Sequence, residues 1–110
     1  VEAIEPGHAA GPFSIRTDAG ADVAVVTASG EIDISTAEAF GLELERALSR
    51  GTESVVLDLE GVSFIDSTGL TALLKAIEGS NGRLRVVRSL SRAVERTLEV
   101  SGLMDDLPWT

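Results

Sequence analysis

The sequence predicts a single α/β domain: a mixed β-sheet of about four strands with three or more helices packed on it, in the order β-β-α-β-α-β-α. Three observations carry this. The chain has 110 residues, 44% of them apolar and 25% charged, which is the size and composition of one globular unit. The apolar period switches between two and 3.6 residues along the chain. After an opening pair of strands, strand and helix patterns alternate, as in a layered α/β domain with right-handed crossovers.

Residues 1–12 read as a flexible N-terminal arm, broken by Pro6-Gly7 and Gly11-Pro12, and residues 13–110 as the domain. Phe13 to Thr17 alternates apolar and polar, the mark of a half-buried strand. Ala19 to Asp22 turns the chain, and Val23 to Ala28 forms a second strand rich in β-branched residues. Ser35-Thr36-Ala37-Glu38 has the spacing of a capping box, with Ser35 and Glu38 exchanging hydrogen bonds. The helix behind it carries Phe40, Leu44, Ala47 and Leu48 on one stripe and ends at Gly51.

Ser54 to Leu59 is a nearly continuous apolar run, expected of an interior strand covered largely on both sides. Gly61 to Asp66 leads out of it. Leu70, Leu73, Leu74 and Ile77 define a second amphipathic helix stopping at Gly79, followed by an Asn81-Gly82 turn. Leu84 to Arg88 is a short strand. Ser91 caps a third helix that turns Val94 and Leu98 inward and closes at Gly102. Leu103, Leu107 and Trp109 are expected to pack back onto the body, and Pro108 argues against a central strand there.

The formal net charge of −9 argues against direct nucleic-acid binding. Cysteine is absent, which excludes a thiolate metal site and a thiol nucleophile. The single histidine, His8, lies in the arm, so a Ser-His-Asp triad lacks its base. No apolar run approaches 18 residues, and Glu2 and Glu5 stand where a signal peptide carries bases. A cytoplasmic protein with no membrane contact is the expectation.

Chemistry concentrates at Asp66-Ser67-Thr68-Gly69-Leu70, where a buried strand hands over to an amphipathic helix. Such junctions are favoured ligand and partner sites in open α/β sheets. Ser67 is expected at or near the N-cap, its hydroxyl on an orphan amide and close to solvent. Gly69 would let another backbone approach. The same residues would serve equally as plain caps. No base, G-x-S-x-G elbow or phosphate loop accompanies Ser67, so self-catalysed chemistry is not expected. The acidic pairs Glu31/Asp33 and Asp58/Glu60 read as solvated strand ends, with no metal site expected. If the strands preceding Asp33 and Ser67 are parallel neighbours, both residues lie at one edge of the sheet.

Three blocks resemble the STAS domains, and among them the free-standing bacterial anti-sigma factor antagonists: Gly30-Glu31-Ile32-Asp33 with Thr36-Ala37; Val56-Leu57-Asp58-Leu59 through Phe64-Ile65-Asp66-Ser67-Thr68-Gly69-Leu70; and Ala93-Val94, Leu98 and Ser101-Gly102-Leu103. The resemblance covers about residues 13 to 107. It implies phosphorylation of Ser67 by an anti-sigma factor with serine-kinase activity, and reversal by a PP2C-type phosphatase. It places partner contact at Asp33, Asp66, Thr68, Gly69 and Leu70. It implies a binding protein that is not an enzyme and needs no cofactor, and that regulates sigma-factor-dependent transcription by partner switching. The alternative it leaves is a STAS interaction module of a transporter or larger assembly, without a phospho-switch. Two departures stand out: Thr71-Ala72 where many members carry another glycine, and a short polar segment from Met104 to Trp109.

A phosphate on Ser67 adds about −1.5 to −2 charges at pH 7. The helix amides and dipole are expected to accept it without unfolding. It would then act at the interface, beside Asp66. Residues 1–66 hold 13 acids and 3 bases, whereas residues 67–110 hold 5 acids and 6 bases. The acidity thus precedes Ser67, and a basic partner surface follows as an expectation.

Overall fold

The computed structural model describes residues 12–110; His8 and the arm through residue 11 lie outside the described residues. Four strands, β1 (Ser14–Ala19), β2 (Val23–Ile32), β3 (Ser54–Ile65) and β4 (Leu84–Val86), form one sheet in the order β1-β2-β3-β4. The hairpin β1-β2 is antiparallel, closed by the Gly20 amide donating to the Val23 carbonyl at 2.9 Å. Both β2-β3 and β3-β4 pair in parallel. The connections are helices, as parallel neighbours require: α1 (Ala37–Ser49) and α2 (Ser67–Gly79), with α3 (Arg92–Val100) following β4.

Burial alternates along the strands. Ala24, Val26 and Ala28 of β2, Val55, Leu57 and Leu59 of β3, and Leu84 and Val86 of β4 point to one face. Phe40 and Leu44 of α1, Leu73 of α2, and Val94 and Leu98 of α3 complete the same core. Val56 and Asp58, on the opposite face, are only half-buried. The expectation that β3 is covered on both sides is therefore corrected. Its apolar run reflects the chemistry of β-branched residues on a half-exposed face, not a second helical layer.

β3 is longer than its sequence pattern indicates, because it bulges twice against β2. One extra β3 residue falls between the pairs Thr27/Asp58 and Ser29/Gly61, and another between Gly30/Val62 and Glu31/Phe64. The bulges shift the inward positions, so that Val62 and Ile65 are buried after Leu59. Each also bends the strand and raises its twist. The result is that β2 and β3 end level, with Ile32 opposite Ile65.

Helix boundaries follow from local chemistry, with a correction at α1. Gly51, Gly82 and Gly102 take positive φ after helices or in the turn, as does Asn81. Ser91 caps α3, its Oγ accepting from the Val94 amide at 3.2 Å. The capping box at α1 does not form: Thr36 occupies the cap position with no side-chain cap bond. Asp33 takes the Ser35 amide and hydroxyl instead, at 2.9 and 2.6 Å, in a tight turn that removes the amide from Glu38 and turns the hydroxyl into a donor.

The final segment returns as expected. Leu107 is buried, and the Trp109 indole N–H donates to the Met104 carbonyl at 2.8 Å. Trp109 forms a single parallel bridge with Val86, on the edge of β4.

Candidate functional site

The parallel pairing of β2 and β3 brings Asp33 and Ser67 to one edge of the sheet. The Asp66 amide donates to the Ile32 carbonyl at 3.1 Å, tying the two strand ends together just before each loop begins. Crossing from strand to helix at both ends places α1 and α2 side by side, with their N-termini above this edge.

Asp66, not Ser67, is the N-cap of α2. Its backbone is extended, and Oδ1 accepts from the Thr68 amide at 3.0 Å, the Gly69 amide at 3.1 Å and the Thr68 hydroxyl. These bonds, led by the Thr68 hydroxyl and the Gly69 amide, hold the Asp66 carboxyl below the usual aspartate range, although the nearby charge of Asp33 opposes them. Asp33 is lowered as well, first by the Ser35 hydroxyl and then by the Ser35 amide. Both side chains are therefore anionic at neutral pH, and the charge of Asp33 reaches Asp66.

Ser67 follows as the first helical residue and is exposed. Its hydroxyl has no hydrogen-bond partner among the described residues, while its carbonyl accepts from the Thr71 hydroxyl at 2.9 Å. The expectation that this hydroxyl caps an amide is corrected, because the aspartate one position earlier already does so. One consequence concerns an added phosphate. The Thr68 and Gly69 amides, which would otherwise receive an anion at this helix end, already hold a carboxylate.

Gly69 is turned inward. A Cβ there would lie 2.7 Å from both Ile32 Cγ2 and Ile65 Cγ1. The close approach expected at this glycine is made by the chain's own strand ends, which lets α2 sit down on the sheet. Leu70 is likewise buried, at 8% exposure. Of the residues singled out in the sequence, the accessible ones are Ser67 and, in part, Asp33, Asp66 and Thr68.

The structure adds residues the sequence reading passed over. The large apolar side chains that stand exposed are Val23, Ile34, Leu42, Phe64 and Val100. Ile34 is next to Asp33, Phe64 lies at the end of β3, and Val100 lines a groove with Ser67. Ile34 and Phe64 thus flank Asp33 and Asp66 along the chain, and Val100 shares the groove of Ser67, which gives the acidic edge an apolar rim suited to protein contact. Ile34 was detectable as an apolar residue in the turn before α1, and Val100 as one off the inward stripe of α3. Among the described residues no cluster of acidic or histidine side chains is arranged to hold a metal, and no helix is long and apolar enough to cross a membrane.

A four-stranded mixed sheet with three helices, in the order β-β-α-β-α-β-α, is the arrangement of a STAS domain. The chain matches that family over residues 14–110 and belongs to it. It is 33% identical over 90 residues to the anti-sigma F factor antagonist of Paenibacillus polymyxa, covering 78% of this chain and 76% of that protein. With the anti-sigma-B factor antagonist of Staphylococcus aureus it shares 32% identity over 83 residues, 73% of this chain and 76% of the relative. Among solved structures, an anti-sigma factor antagonist from Mycobacterium paratuberculosis superposes with a TM-score of 0.79 at 27% identity, covering 96% of this chain and 87% of the other.

Proposed function

We propose that this protein is an anti-sigma factor antagonist acting in the cytoplasm as a binding protein, not an enzyme. Its partner is an anti-sigma factor with serine-kinase activity, bound through the edge formed by Asp33, Asp66, Ser67 and Thr68 and its apolar rim. Gly69 and Leu70 contribute by setting the position of the α2 N-terminus. Binding of the unphosphorylated form frees the sigma factor. The kinase then transfers the γ-phosphoryl group of ATP to Ser67 Oγ; ADP leaves, and a base on the kinase takes the hydroxyl proton. A PP2C-type phosphatase hydrolyses the ester and restores the binding form.

The observation that carries this reading is Ser67 itself. It is an exposed hydroxyl with no hydrogen-bond partner among the described residues, set on the first turn of α2 directly after the anionic Asp66. The likeness to named antagonists supports the partner class. A phosphate placed there puts like charge beside Asp33 and Asp66, and like-charge contact in an interface costs several kcal/mol. About 4 kcal/mol is a thousandfold in affinity, enough for a switch without refolding.

The test uses the anti-sigma factor, ATP and mass mapping of the product. One phosphate on Ser67 is expected, with Ser67→Ala binding like the wild type and Ser67→Asp weaker by about a hundredfold to a thousandfold. An unmodified Ser67, together with full binding by Ser67→Asp, would overturn the proposal.

A further inference from the structure

Ser67 and Arg96 face one groove. It runs between the first turn of α2 and α3, has a volume of about 370 Å³, and is lined by Ser67, Leu70, Arg96, Thr97, Val100 and Ser101. Arg96 is the single charged residue in that lining. It is exposed and has no carboxylate within ion-pair distance among the described residues. Its acidic neighbours on α3, Glu95 and Glu99, are also exposed.

The surroundings of Ser67 decide where a phosphate on it would find counter-charge. At the helix end the Thr68 and Gly69 amides are occupied by the Asp66 carboxylate. On the sheet side stand Asp66 and Asp33, both anionic and repelling. Among the described residues lining the groove, Arg96 on α3 is the one cation. A guanidinium presents paired donors that match phosphate oxygens, and such charge-assisted bonds are stronger than neutral ones.

We infer that Arg96 is the receiving group for a phosphomonoester on Ser67, drawing it across the groove over Leu70 and Val100. The inference rests on the phosphorylation of Ser67 proposed above and adds the residue that holds its product. Phosphorylation then acts twice on the partner surface. It adds charge at the acidic edge, and it covers the apolar wall that Val100 exposes beside it.

The experiment installs phosphoserine at position 67 of the full chain by genetic encoding, so that no kinase is needed. The second ionisation of the phosphate, near pH 6 when unperturbed, is followed by phosphorus NMR. It is expected to lie lower by about 0.5 in the otherwise wild-type chain than in Arg96→Gln. Arg96→Lys should fall between them, and Arg92→Gln, on the same helix but outside the groove lining, should match the wild type. Positions 92 and 96 are exposed sites on folded helix, and far-UV circular dichroism checks each variant. Equal ionisation in wild type and Arg96→Gln overturns the inference, as does an equal displacement by Arg92→Gln. Failure of the kinase to modify Ser67 tells against the proposed function instead, and leaves this measurement unaffected.

Discussion

At Asp66 one carboxylate oxygen satisfies two backbone amides and a hydroxyl, and this decides where α2 begins. Removing it in Asp66→Ala should cost about 1 kcal/mol, the usual worth of an N-cap; Asp66→Asn should keep most of that. The two variants separate in their pH response. A carboxyl held below its unfolded value of about 3.9 adds stability above that pH and loses it as pH falls through the lower native value. Urea unfolding should therefore show the advantage of wild type over Asp66→Asn shrinking below about pH 4. A constant difference from pH 7 to pH 3 would contradict this. Asp33, lowered by the Ser35 hydroxyl and amide, contributes in the same direction. The sequence showed three cap-forming residues in a row, Asp66, Ser67 and Thr68, and local preference could not choose among them. The choice depends on where β3 stops pairing, at the bond from the Asp66 amide to Ile32, a residue far away in sequence.

Within α2, two glycines respond in opposite ways to an added methyl group. Gly69→Ala drives a Cβ to 2.7 Å from Ile32 and Ile65 side chains and to 3.1 Å from the Ile32 carbonyl. The helix must lift from the sheet, at a cost of about 1–3 kcal/mol typical of overpacking. Gly79→Ala meets nothing within 4 Å, and there helix propensity favours alanine by up to about 1 kcal/mol. Urea midpoints of opposite sign are the expected result; a neutral Gly69→Ala would show that the strand ends yield easily. The elements themselves were largely legible, since each helix has its stripe and each strand its alternation. What the periodicity missed is non-local. The bulges of β3 appear only against β2, and the α1 capping box lost the Ser35 amide to Asp33, two residues before it.

For the molecule as a whole, the pairing of two parallel strands turns sequence positions 33 and 67 into one surface. That adjacency depends on β2 and β3 being parallel neighbours, and the observed strand order makes them so. The groove to α3 was not legible, because the docking of α3 depends on how Val94 and Leu98 settle into a core drawn from the entire chain. Charge is uneven on the same scale, with the surplus of acids confined to residues 1–66. If a basic partner meets the Asp33–Asp66 edge, the affinity of the unphosphorylated protein for its anti-sigma factor should fall as salt rises. Most of the loss should be in the association rate, because screening shortens the range of steering. Surface plasmon resonance from 50 to 500 mM salt, a range spanning Debye lengths of roughly 14 to 4 Å, measures this; a flat response would assign the contact to the apolar rim around Ile34 and Phe64.

The docking of Trp109 has a consequence for spectroscopy. The chain contains one tryptophan and no tyrosine, so excitation near 295 nm addresses one indole. That indole is bonded to the Met104 carbonyl, has the Arg88 guanidinium 5.1 Å from its ring centre, and bridges the outer edge of β4. Its emission is a single-site reporter of that edge, whereas circular dichroism averages over all three helices. A red shift in emission that precedes the loss of helical signal during urea titration would identify the last segment and β4 as the first part of the fold to open.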